Sequence, residues 1–589
     1  MDDAYGLAVT VQKAPECADK PESVDLSHHL SELAKARISS PLKSLYKYFN
    51  KPGMLSLAGG LPPPDYFPYE SITAQTLAKN SFKTTEQGFA AWLWSLIAGA
   101  KKTDEWSIPK WDQDKSRVQL SSAFQYGTAA GLPPLAQFIY DFTARVYRPA
   151  TSDFHCVINA GSTDAWGKIV TTLCNPGDGV LAEEWTYPSA LATAWPNGIK
   201  PVALPMDGDG LTVDGMDHVL ANWNPQEHDG MQRPRVLYTV PVCQNPTGGT
   251  VSLERKRAIY ELAVNYDIII VEDDPYYFLQ SGEYKRKRSV STTKTESDED
   301  FLASLVPSYL HLDYQGRVVR IDTFSKTICP GSRLGWTTCN PVFAERLERA
   351  NESSTQAASG MSQALVGSLL AEQWGYSGYL RWLKGIKAEY RNRRDTLVDN
   401  LLDVAHASLD VREASAGVYE VSRRSSEKFT SQSEKTRPLM SFVAPVGGMF
   451  GGWASGRVLA LYADCSSSAL CYFPARSSPL VPNDNRLALY PPPATTVWLR
   501  VHFSEHRQFR STPTPELLMS LWEDLAEHNV LIVPGTIFSA AAVGQSLASS
   551  DSDASADGYF RISFSSAKPD EMGEACKILA QRVERFFRE

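Results

Sequence analysis

The sequence predicts an α/β fold, a mainly parallel sheet sandwiched by helices, with a smaller α+β domain beside it. Three observations predict it. From about residue 118 to 340, short apolar runs alternate with helical stretches. Several of those runs are almost continuously apolar, as strands covered on both faces must be. Between residues 236 and 274, strand, helix and strand follow one another within about forty residues, the spacing of a βαβ unit.

Residues 1–30 are polar and contain Pro, Asp and Lys, so a loose arm is expected there. Residues 31–115 are expected to form the N-terminal part of the small domain and its connection. Residues 116–395 should form the large domain. Its strands read as CVINA (156–160), GVLAEE (179–184), VLYTVP (236–241), DIIIVEDD (267–274) and VVRIDT (318–323). Between the third and fourth, SLERKRAIYELAVNY places Leu253, Ile259, Leu262, Ala263 and Tyr266 roughly on one helical face, with Ser252 as N-cap. Residues 396–589 should hold the C-terminal part of the small domain, ending in a strand (YFRISF), a loop with Pro569 and an amphipathic helix. Two insertions interrupt it. SRRSSEKFTSQSEKTRP (422–438) has the composition of a mobile loop. Residues 451–496 lack periodicity and separate GGMF (447–450) from VWLRVHF (497–503), pieces that would otherwise join into one strand.

Composition narrows the functional classes. The chain has 589 residues, of which 43% are hydrophobic and 21% charged, as expected of a globular protein. A net charge of -9 without a long basic run argues against nucleic acid as the main partner. The nine cysteines have neither metal-ligand spacing nor a small-domain disulfide pattern. No secretory signal and no membrane-spanning apolar run is read. A soluble protein of the reducing cytoplasm is the expectation.

In a doubly wound sheet, ligands bind at the carboxyl ends of the strands. After CVINA come Gly161, Ser162 and Thr163, opening a helix whose free N–H groups suit a phosphate. After GVLAEE comes Tyr187, able to stack on a flat ring. After VLYTVP comes Asn245, after DIIIVE come Asp273 and Tyr276, and after VVRIDT come Thr323, Ser325, Lys326 and Arg333. Singly, each has an ordinary structural reading as turn, cap or packing residue. Together they answer one cofactor's needs. Pyridoxal phosphate requires an amine to condense with its aldehyde and a buried carboxylate for its pyridine nitrogen. It also requires donors for its ring oxygen, and N–H groups, hydroxyls and an arginine for its phosphate.

At this point the sequence resembles the fold-type I, class I/II aminotransferases, and most of all the fungal aromatic amino acid aminotransferases and the kynurenine/2-aminoadipate aminotransferases. The resemblance covers most of residues 40–589 outside the insertions. It rests on SLAGGLP (56–62), FQYGTAAGLPPL (124–135), NPTGG (245–249), EDDPYYFLQ (272–280), DTFSKTICPGSRLGW (322–336) and YFRISFSSA (559–567). It implies a small domain drawn from both chain ends, with Lys326 as covalent anchor and catalytic base. Asp273 would pair with the pyridine nitrogen, Asn245 and Tyr276 with the ring oxygen, and Tyr187 would stack on the ring. Ser162, Thr163, Thr323, Ser325 and Arg333 would hold the phosphate, joined by Tyr126 from a neighbouring subunit, which implies a homodimer. Arg561 would clamp the substrate carboxylate beside Asn245, and Gly60 would line the pocket. No metal is implied.

The implied activity is ping-pong transamination from Tyr, Phe or Trp to 2-oxoglutarate or another 2-oxo acid. Alternatives are 2-aminoadipate or kynurenine as donor, or a lyase on the same fold. The fold also serves as the sensor half of bacterial regulators, but the first 40 residues are too short and too weakly basic for their DNA-binding domain. This sequence departs from the family in two places. Lys43 stands where some relatives use an arginine, and residues 451–496 intervene after GGMF. An intervening sequence retained from the gene is the reading of that segment, with a lineage-specific loop as the alternative.

Overall fold

Strands buried on both faces organise the chain. The computed structural model describes residues 11–38, 60–78, 103–286, 296–415, 418–423, 438–445, 450–451, 498–540 and 556–588. Ser71–Leu77 (β1) and Thr103–Pro109 (β2) form an antiparallel ribbon. The chain enters a seven-stranded sheet through His155–Asn159 (β3), Gly179–Glu183 (β4) and Lys200–Leu204 (β5). A short hairpin follows, Met206–Asp207 (β6) with Gly210–Leu211 (β7). The sheet is completed by Val236–Thr239 (β8), Ile269–Asp273 (β9), Val318–Thr323 (β10) and Gly335–Cys339 (β11).

The strand order is β3-β11-β10-β9-β8-β4-β5. The pairs β10–β9, β9–β8, β8–β4 and β4–β5 are parallel, and β11 runs antiparallel to both β10 and β3. Every residue of β4, β8, β9, β10 and β11 is buried, which is why their sequences read as near-continuous apolar runs. The five strands read from the sequence are all present. Two more were not read: β5, which carries Pro201, and β11, whose Gly-Trp-Thr-Thr-Cys gives little apolar signal. The helix Leu253–Asn265 forms behind Ser252, whose side chain accepts from the Arg255 N–H.

A second, antiparallel sheet contains Asp410–Ser415 (β12), Val418–Ser422 (β13), Met440–Val443 (β14), Phe450–Gly451 (β15), Trp498–His502 (β16), Val533–Pro534 (β17) and Asp557–Ser563 (β18). Its order is β12-β13-β14-β16-β18-β15, with β17 also on β18. The helices Thr514–Glu527 and Pro569–Phe586 cover it. Leu499, Val501 and Phe560 of the sheet meet Leu521, Leu525, Leu579 and Val583 of those helices in a core of their own.

Most of 424–437 and of 451–496 lies outside the described residues, as does Lys43. The flanks of the second segment are informative. Along β18, Ser563 and Ile562 pair with Phe450 and Gly451, and the next residue, Arg561, pairs with Trp498. The partner register steps from 451 to 498 without skipping a residue of β18.

The N-terminal expectations need correction. Residues 11–30, read as a loose arm, lie against the large-sheet body: Cys17, Leu26 and His29 are buried, and Ser23 bonds Asp153 through its N–H and hydroxyl. Polar composition signalled looseness, but these polar groups find partners. Residues 31–38 also dock there, Ser31 and Arg37 donating to Thr171 O and Thr172 Oγ1. The ribbon packs through Ile108 against Val118, Leu120, Leu132 and Ala364. The described parts of 31–115 thus join the large-sheet body rather than the C-terminal sheet.

A buried ion cluster lies behind the strand ends. Arg320 of β10 sends Nη1 to Glu272 Oε2 and Asp274 Oδ2, both at 3.1 Å, and Nε to Asp322 Oδ2 at 2.9 Å. Its guanidinium lies 4.0 Å from the Tyr147 ring centroid and 4.8 Å from that of Tyr277. Lys256 stands 3.6 Å from Glu272 Oε1. Burial would raise Glu272, but Arg320 and Lys256 hold it below its usual range. Burial pushes Asp274 up to about 7 against the pull of Arg320. Arg320→Ala, which strands buried carboxylates, should cost about 3–5 kcal/mol. Chemical denaturation would measure it; a loss below about 1 kcal/mol would show that the cluster is not mutually dependent.

Candidate active site

The carboxyl ends of β3, β4, β8, β9 and β10 converge on one edge, and the side chains expected to do chemistry project from the segments that follow. Gly161, with φ +97°, caps the helix Ser162–Leu173. A Cβ there would stand 2.8 Å from Arg333 Nη2, so the arginine covers this helix start only because the residue is glycine. Arg333 itself has φ +45°. Its Nη1 donates to Pro330 O at 3.1 Å and Ser325 Oγ at 3.4 Å. Thr323 Oγ1 donates to Ser325 Oγ at 2.8 Å. Thr323, Ser325, Arg333 and the helix start thus form one polar cradle suited to an anion.

Lys326 follows in the turn after β10. Burial lowers its amine from the usual lysine range, and the nearby positive charges of Arg561 and Arg333 lower it further. Among the described residues the amine takes no hydrogen bond. A lysine held this way has more of the neutral, nucleophilic form than a surface lysine.

Asp273, at the end of β9, is buried. Its Oδ2 accepts from the Tyr238 hydroxyl at 2.7 Å. Its Oδ1 is buried without a hydrogen-bond partner, as is Ser162 Oγ. Burial pushes the carboxyl up to about 6, opposed by the Tyr238 hydroxyl. The Ser162 hydroxyl lowers it slightly, without reaching hydrogen-bond geometry. A buried carboxylate oxygen left open needs a donor.

Asn245 is set by the loop after β8. Glu183 accepts from Thr239 Oγ1 at 2.6 Å and from the Val240 N–H, and Gln244 Nε2 donates to Trp185 O. Asn245 is joined to Pro246 by a cis peptide bond. Its Oδ1 accepts from Arg561 Nη1 at 3.0 Å. Arg561 comes from β18 of the other sheet and lies over the Phe538 ring, 4.8 Å from its centroid. Tyr276 is buried, and it and Tyr187 are near enough to act on the Arg561 charge.

The structure therefore brings Lys326, Arg333, Arg561, Asn245, Asp273, Tyr276, Tyr187, Ser162, Thr323 and Ser325 to one edge. Thr163 is exposed in the first helical turn. Tyr126 is 60% exposed. Gly60 is exposed, with nothing within 4 Å of where its Cβ would be. Sequence reasoning missed Tyr238 and Glu183. The available signal was a polar group inside a strand buried on both faces, which must find its partner internally.

Comparison with known proteins bears on what this edge does. The aminotransferase class I and II family matches residues 97–458. The chain belongs to the class I and II aminotransferase family. An aromatic amino acid aminotransferase of Schizosaccharomyces pombe is 40% identical over 376 residues, which are 64% of this chain and 76% of that protein. An L-tyrosine:2-oxoglutarate aminotransferase of Serpula lacrymans is 39% identical over 380 residues, 64% of this chain and 70% of that one. The crystal structure of aminotransferase Aro8 from Candida albicans has a TM-score of 0.74 at 29% identity, covering 97% of this chain and 100% of that chain. The family match ends within the 451–496 segment.

Members of this family work through pyridoxal 5'-phosphate, and that is the cofactor of this aminotransferase. The residues fit the group. The open Asp273 Oδ1 would supply the acceptor its ring nitrogen needs, and the glycine-permitted Arg333 cradle would supply phosphate donors. Among the described residues, no helix of the aminotransferase is long and apolar enough to cross a membrane. Gly161→Ala should cost about 1–3 kcal/mol, because a side chain is forced into positive φ against Arg333. Denaturant unfolding would measure it; an unchanged midpoint would show that the turn relaxes freely.

Proposed function

We propose that this chain transfers the amino group of aromatic L-amino acids (tyrosine, phenylalanine and tryptophan) to 2-oxoglutarate or a similar 2-oxo acid. The observation that carries the site assignment is the unpartnered buried Asp273 oxygen on the same edge as the depressed amine of Lys326. The aromatic preference is supported by the names of the relatives, aromatic amino acid and L-tyrosine:2-oxoglutarate aminotransferases, at 40% and 39% identity.

Bound pyridoxal phosphate supplies an electron sink for carbanion chemistry at the amino acid Cα. Lys326 Nζ would hold the cofactor covalently until substrate takes its place. Once free, Lys326 Nζ would serve as the base that takes the proton from the substrate Cα. Asp273 Oδ1 keeps the ring nitrogen protonated, since a carboxylate there favours the cation. Asn245 and Tyr276 would hold the ring oxygen, and Tyr187 would stack on the ring. Ser162, Thr163, Thr323, Ser325 and Arg333 would grip the phosphate. Arg561 clamps the substrate carboxylate, and its bond to Asn245 places that clamp beside the ring. Gly60 leaves room at the pocket wall.

Exposed Tyr126 reaches the neighbouring subunit's phosphate in the homodimer we propose. The seven cysteines among the described residues are free thiols, which supports the reducing cytoplasm.

Purified protein given L-tyrosine and 2-oxoglutarate should yield 4-hydroxyphenylpyruvate and glutamate. Borohydride reduction should fix a pyridoxyl group on the peptide carrying Lys326. Lys326→Ala should lose both, and labelling elsewhere would refute the assignment. A β-substituted substrate releasing pyruvate and ammonia in preference to amino transfer would favour the lyase reading.

Tyr238 should act as a positioning residue. Tyr238→Phe deletes the donor to Asp273 Oδ2, so the carboxyl should rise further and cofactor affinity should fall about tenfold or more at neutral pH. Equilibrium cofactor binding across pH would test it. Unchanged affinity, with an unchanged pH profile, would assign Tyr238 to packing alone.

A further inference from the structure

Away from the active-site edge, the sequence Asp-Leu-Ser-His-His-Leu (25–30) places two adjacent imidazoles on a short turn, Ser27–His29. His28 Nε2 lies 2.9 Å from Asp267 Oδ2, and His29 Nε2 lies 3.0 Å from Asp267 Oδ1. The three ligating atoms fall within 4.8 Å of one another. The two rings are 4.3 Å apart at 44°, so neither blocks the other.

We propose that His28, His29 and Asp267 form a binding site for a borderline divalent cation, zinc above all. Two imidazoles and one carboxylate are a donor set that zinc accepts, with the fourth position left to water. Zinc bonds of about 2.0–2.1 Å in a tetrahedron separate neighbouring ligand atoms by about 3.3 Å. The two histidine–carboxylate separations would open by a few tenths of an ångström, and the remaining separation, within 4.8 Å, would settle toward the same value. The required tautomer, protonated at Nδ1, turns both Nε2 lone pairs toward the carboxylate.

The site is held on rigid parts. Asp267 has φ +55° and follows the helix Leu253–Asn265. The N–H of Ile268, next in the chain, donates to Ala263 O at 2.8 Å. His29 is buried on the protein side, with its side chain 1% exposed. The His28 and Asp267 side chains are 50% and 41% exposed, which gives an ion a way in. Arg317 Nη1 sits 2.8 Å from Asp267 Oδ1 and is itself held by Gln315. It would serve as the outer partner that orients the ligating carboxylate, and its charge would keep the affinity moderate. An ion there would tie the N-terminal arm to the base of β9, the strand that ends in Asp273.

The competing account is a hydrogen-bonded latch without metal. Holoenzyme treated with EDTA and dialysed would be titrated with zinc chloride by calorimetry and by thermal unfolding. Binding of about one zinc ion per chain, with a rise in Tm that EDTA reverses, is expected. His28→Ala should abolish both and leave basal transamination unchanged, because His28 is remote from the Lys326 edge. His28→Asn, which keeps a donor but loses the imidazole, should restore metal-free stability and not zinc binding. Absence of a zinc response in the wild type, or an equal response in His28→Ala, would overturn the proposal.

Discussion

The geometry of the active-site edge depends on a guanidinium buried behind the strand ends. Arg320 sits in the middle of β10, fully buried, and bonds carboxylates from its own strand and from the end of β9. Asp273 lies between Glu272 and Asp274, and Lys326 follows Asp322 by four residues. The groups that would face the cofactor are thus interleaved with the groups that face Arg320. Alternation along a strand makes this possible: neighbouring side chains point to opposite faces. Any slip of β9 against β10 would break charge pairs in a low-dielectric interior, so the register that pairs Asp273 with Ile321 is strongly enforced.

The opposite side of the site is built on a different principle. Arg561 belongs to a sheet with its own hydrophobic core and reaches across to Asn245. Trp185 and Tyr559 pack across the same boundary, their ring centroids 5.5 Å apart. Backbone bonds from Thr186 to Phe538 and from Ala540 to Glu184 stitch it further. One side of the pocket is fixed by buried charge and the other by docking, so positional freedom between the strand-end residues and Arg561 is concentrated in that second interface.

Much of the architecture was legible because parallel strands covered on both faces leave a continuous apolar trace, and because Gly, Asn-Pro and Asp-Pro mark where those strands end. The residues at the strand ends were legible for the same reason. What escaped was whatever the interior does with polar groups. Arg320 and Lys256 read as breaks in apolar patterns, yet they are among the most buried side chains. Tyr238 read as one more strand residue, although its hydroxyl holds Asp273. Gly335–Cys339 has too few apolar residues to announce a strand, and its burial comes from neighbours on both edges. The arm at 11–30 was misread because composition counts polar groups without showing that Asp153 and Asp267 await them.

The register along β18 has one further consequence. Gly451 and Trp498 answer to consecutive residues of the strand that carries Arg561. To β18, the chain on either side of the intervening residues therefore presents one uninterrupted set of partners. The pairing along β18 at Arg561 and at the next residue, Ile562, is made by Trp498 and Gly451, so its register is set by the residues that flank the segment. The catalytic frame and this segment are free to change independently.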